Sequence, residues 1–73
     1  MIAQTQETMF GVEKLTMKGQ YVQVAGGLEY TDANRMAREI VEKGQTSFAC
    51  VRYGQNQAFV AAYQNQAGKV VEW

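Results

Sequence analysis

The side chains able to do chemistry are few in this chain, and their spacing argues against catalysis. There is one cysteine, Cys50, and no histidine. Structural and catalytic zinc sites draw on several Cys, His or clustered carboxylates. The carboxylates Glu7, Glu13, Glu29, Asp32, Glu39, Glu42 and Glu72 do not follow the spacing of a calcium loop. A nucleophile needs a base beside it. Cys50 lies in the apolar run Phe48-Ala49-Cys50-Val51, and no imidazole exists to activate it. The thiol therefore reads as a small core group, and Thr46 and Ser47 have no base either. Gly26-Gly27 precedes a helical segment, but Leu28-Glu29-Tyr30 intervenes with a negative charge, and neither phosphate-loop pattern is met. The expectation is a non-enzymatic protein without metal or cofactor.

Binding is what remains. Aromatic and arginine side chains beside strand ends are the types that dominate protein interfaces. Lys14, Arg35, Arg38, Arg52, Tyr53, Tyr63 and Trp73 are the candidates for partner contact. Each has a bland alternative. The tyrosines are good strand formers, the charges form a solvated face, and Trp73 can fold back as a lid on a thin core. Nucleic acid is the second choice of partner, with Tyr21, Tyr30, Tyr53 and Tyr63 as stacking rings and Lys14, Lys18, Arg35, Arg38, Arg52 and Lys69 as phosphate contacts. Seven basic and seven acidic residues cancel, however, so no strong field draws the chain to a polyanion. Self-association at an open sheet edge is the third.

The elements that must hold these residues are legible. The 73 residues suffice for one domain with one thin core. Met1–Glu7 is polar and reads as a flexible tail, without the basic start and apolar run of a signal peptide. No run of about 18 apolar residues occurs, and a lone Cys suits a reducing compartment, so the expected location is cytoplasmic. A first strand is expected over Thr8–Met17, with a phase-flipping bulge at Gly11 or Glu13–Lys14. A turn follows at Lys18-Gly19, then a strand over Gln20–Ala25 that Gly26-Gly27 breaks. Ala33, Met36, Ala37, Ile40 and Val41 recur at helical spacing, so Asp32–Lys43 is a helix. Thr31 is its expected N-cap, and Gly44 ends it. Arg35–Glu39, Arg38–Glu42 and Glu39–Lys43 are expected pairs on its wet side. Strands over Thr46–Tyr53, Ala58–Gln64 and Lys69–Trp73 complete a meander, with turns at Gly54–Gln57 and Asn65–Gly68. The order is ββαβββ, an α+β fold with the helix on one face of an antiparallel sheet. Ala49, Ala58, Ala61 and Ala62 are small enough to let the helix sit close.

In size and in this element order, from Thr8 through the helix to Trp73, the chain resembles the small host-takeover proteins of bacteriophages. Among these it is most similar to the compact RNA polymerase-binding transcription regulators of lytic Xanthomonas phages. The resemblance implies a host protein complex as partner, with contacts to the β′ and β subunits that displace the sigma factor and block initiation. Small anti-CRISPR inhibitors share the same general look and imply a different target. No residue motif carries over.

Overall fold

The computed structural model describes residues 9–53 and 58–73. The expected tail Met1–Glu7 and the expected turn Gly54–Gln57 lie outside them, as does the side chain of Ala58. Two strands, β1 (Phe10–Leu15) and β2 (Tyr21–Leu28), precede α1 (Tyr30–Glu42). Three more follow: β3 (Phe48–Tyr53), β4 (Ala58–Gln66) and β5 (Lys69–Glu72). The sheet has five antiparallel strands in the order β2-β1-β3-β4-β5. This is the expected α+β arrangement, and α1 lies over β1, β3, β4 and β5.

Strand alternation decides which residues meet the helix. Register sets Val12 opposite Val51, Val51 opposite Ala61, and Ala49 opposite Tyr63. All five are buried, together with Ala33, Ala37, Ile40 and Val41 from α1. Phe10, Leu28, Met36 and Val70 pack around this centre. Alanines at the contact let the helix axis come close to the sheet. Ala49 and Ala61 do this; Ala62 pairs with Cys50 and falls on the opposite face, contrary to the expectation that it would meet the helix.

The helix starts earlier than its capping signal suggests. Its N-cap is Glu29, which makes no side-chain cap hydrogen bond, and Thr31 lies inside the first turn. The aromatic ring of Tyr30 explains the shift: it packs on Phe10 at 5.2 Å between centroids and draws the chain into helix before the threonine. The C-terminus ends as expected. Gly44 takes φ +78°, its N–H donates to Val41 O at 3.1 Å, and the Gln45 N–H donates to Ile40 O at 3.0 Å. This is a Schellman motif, which occupies carbonyls that the last turn leaves bare. On the solvent side Arg38 pairs with Glu42 at 3.2 Å, whereas Arg35 takes Asp32 at 2.8 Å rather than Glu39.

The bulge expected at Gly11 or Glu13–Lys14 of β1 lies instead on its partner β2, in two places. β1 runs against β3 without a break. Its pairing with β2 shifts register on either side of Val12, and the extra residues are on β2. Val24 is one, and the Gly26-Gly27 stretch takes up the other. The two glycines therefore do not end the strand, which continues until Leu28 meets Phe10. Of the two glycines Gly27 takes φ +67°, whereas a Cβ at Gly26 would meet only the end of the flexible Gln23 side chain, whose amide donates to Ala25 O at 3.3 Å and can move aside. β4 carries a third irregularity at Val60. The last turn is tighter than expected. Gln66 pairs with Lys69, leaving Ala67 (φ +54°) and Gly68 (φ +86°) as its two central residues. Positive φ at both positions makes a turn whose twist matches the strands it joins.

Two stability measurements test this account. Val51→Ala removes two methyl groups at the centre of the core, and urea denaturation is expected to show a loss of about 2–3 kcal/mol. Ala67→Asn replaces a residue that resists the left-handed region with one that tolerates it, and a gain of on the order of 1 kcal/mol is expected from the same measurement.

Candidate binding face

One helix covers one face of the sheet. On the other face, alternation gathers Tyr21 and Gln23 from β2, Glu13 and Leu15 from β1, Phe48, Cys50 and Arg52 from β3, and Phe59, Ala62 and Gln64 from β4. Gln64 pairs with Val71, and the Trp73 N–H donates to Ala62 O at 2.8 Å, which continues the row beyond β5.

Arg52 organises the middle of this face. Its Nε donates to Glu13 Oε1 at 2.7 Å, across the β1–β3 register. Its guanidinium carbon stands 4.3 Å from the Phe59 ring centroid and 5.8 Å from that of Tyr21. A planar cation stacks well on an aromatic face, and the carboxylate holds it in place. Tyr21 makes edge contacts with Phe48 at 6.2 Å and with Phe59 at 6.1 Å. Trp73 stands at the far side, its Nε1 donating to Gln64 Oε1 at 3.2 Å, and Gln66 Nε2 donates to the same oxygen at 3.1 Å. Phe59 is 49% exposed and Trp73 66% exposed, so this face presents large rings to solvent. Rings held in fixed orientations lose little entropy when a partner covers them.

Beneath the rings, Cys50 is fully buried. Burial pushes its thiol above the usual cysteine range; the Arg52 cation opposes this and the Glu13 carboxylate adds to it. A protonated, enclosed thiol is a poor nucleophile. Among the described residues no group of three His, Cys, Asp or Glu is placed to hold a metal ion, and no helix is long and apolar enough to cross a membrane.

The residues singled out from the sequence scatter over the molecule. Arg52 and Trp73 lie on the open face, and Trp73 is too exposed to be a lid on the core. Arg35 and Arg38 sit on the outer side of α1 in their ion pairs. Lys14 shares the helix side of the sheet with Ala49 and Val22, its strand partners. Tyr53 is also on that side, its ring 5.0 Å from Phe10. Tyr63 is a core residue, 4% exposed, whose hydroxyl donates to Asn34 Oδ1 at 2.7 Å. Phe48 and Phe59, absent from the sequence-based choice, hold central places. Their signal was the match of Phe59 to Arg52 across the β3–β4 pair, which the Val60 bulge hides from simple alternation.

The enclosed thiol generates a pH prediction. Cys50 keeps its proton more tightly in the folded than in the unfolded chain. Unfolded molecules then ionise first as pH rises, and folding stability falls from pH near 9.0 upward until the folded thiol also ionises. Tyr63 is raised chiefly by burial, with Glu72 and Tyr30 adding to it, and it extends the loss above pH 10.0. Denaturation at stepped pH is expected to show this decline, with a slope per group of at most about 1.4 kcal/mol per pH unit. Cys50→Ala is expected to flatten its first part.

No protein-family model, curated protein or solved structure matches this chain.

Proposed function

We propose that this chain is a non-enzymatic binding module that docks a protein partner on the open face of its sheet and acts as an inhibitor or regulator of a larger machine. The observation that carries the reading is the exposed rings of Tyr21 and Phe59 around an ion-paired Arg52, with the exposed Trp73 at the far side of the same face. Aromatic and arginine side chains on a rigid support are what interface hot spots are made of. Bacterial RNA polymerase is the first target of this proposal, on the strength of the resemblance in size and element order. A host bacterial cytoplasm is the corresponding setting.

A nucleic-acid partner is the second reading, favoured by one feature: rings on an open antiparallel sheet can stack on unpaired bases. Charge favours protein. The Arg52 cation already faces Glu13, and the chain has no net charge, so little counterion release would drive binding to phosphates.

Affinity capture from a bacterial lysate tests both. Polymerase subunits are expected to be retained by the wild-type chain, and Phe59→Ala and Trp73→Ala are each expected to weaken retention at least about tenfold, as loss of a hot-spot ring does. Arg38→Ala, on the far side of the helix, is expected to leave it unchanged. Capture of a different machine with the same ring dependence keeps the face and replaces the target. Retention that ignores both rings sinks the face. A salt-sensitive gel shift of single-stranded RNA, lost in Phe59→Ala, would move the assignment to nucleic acid.

A further inference from the structure

The two edges of the sheet are built differently. β5 is four residues long and carries Lys69 and Glu72 at its ends. Short length and charge are the usual protections of an exposed edge. β2 is eight residues long, YVQVAGGL, with no charged residue and no proline. Its outer side has no strand neighbour among the described residues. Its surface is also apolar. Val22 is 39% and Val24 42% exposed, and Tyr21 and Met17 of the same hairpin are exposed as well. The helix lies over the other four strands and does not shelter them.

We infer that β2 is the seam of a symmetric homodimer in which two copies pair β2 against β2, antiparallel, and continue one sheet into the other. The strand is self-complementary. A twofold axis through Gln23 sets Val22 of one copy against Val24 of the second, and Val24 against Val22, with Val24 standing out from β2 at its bulge. Gln23 then meets its own counterpart, where two amides can exchange hydrogen bonds. With no charge anywhere in the strand, the twofold opposes no like charges, and a chain of zero net charge meets no long-range repulsion from its copy. Both helices fall on the same side, set back from the seam, and both ring-bearing faces fall on the other. The dimer would thus present the proposed binding face twice, side by side. The seam goes beyond the partner reading and stands or falls independently of it. A single strand pairing and four valines make a small interface, so association is concentration-dependent rather than permanent.

Sedimentation of the full chain from micromolar to millimolar concentration tests the seam. The wild type is expected to pass from one mass to twice that mass. Val24→Lys, which places two ammonium groups across the axis, is expected to stay monomeric throughout, and Val71→Lys near the other edge is expected to dimerise like the wild type. A wild type that stays monomeric at millimolar concentration overturns the inference, as does a folded Val24→Lys chain that dimerises unchanged. Should circular dichroism show that Val24→Lys does not fold, hydrogen exchange of the wild type decides. Slowing of the β2 amides with rising concentration, without slowing in β5, supports the seam; exchange in β2 that ignores concentration overturns it.

Discussion

The row Val12–Val51–Ala61, pressed against Ala33, Ala37 and Val41, is the contact on which the rest of the molecule depends. A helix about 10 Å across can occupy one side of a sheet whose five strands are spaced by roughly 4.8 Å. Everything apolar that this helix cannot reach must be handled in another way. Small side chains bring the helix near, so the core is tight and thin. The far face is then left to solvent or to a partner.

That far face is neither a second core nor an ordinary polar surface. Polar residues such as Gln23, Gln64 and Gln66 share it with Tyr21, Phe48, Phe59 and Trp73. The Arg52–Glu13 pair lies among the rings and fixes them. It also flanks Cys50, which lies opposite Glu13 in the register and two residues before Arg52, and whose thiol is fully buried on the face turned away from α1. One arrangement therefore brings together the inert cysteine and the exposed rings.

The edges follow from the same shortage of cover. β5 closes its side with charge and brevity, and Trp73 extends beyond it. β2 has no such protection, and its bulges at Val24 and at Gly26-Gly27 bend it without hiding its valines. Tyr21 belongs to both features, since it is on the β2 edge and in contact with the ring cluster.

The sequence by itself determined the element order, the helix stripe and the helix stop. These depend on local periodicity and on the freedom of Gly44, and local physics is written in neighbouring residues. It also placed Cys50 in an apolar strand without a base. Tertiary structure decided the rest. Thr31 lost the cap because Tyr30 found Phe10, a residue 20 positions away in the chain. Gly26-Gly27 stayed within a strand because β1 continued to pair with Ala25 and Leu28 on either side of it. Tyr63 and Arg52 are both polar and lie on neighbouring strands, yet one became core and the other surface. Strand alternation separates the two sides, but only the docking of the helix chooses which side is buried, and bulges at Val24 and Val60 reset the count along β2 and β4.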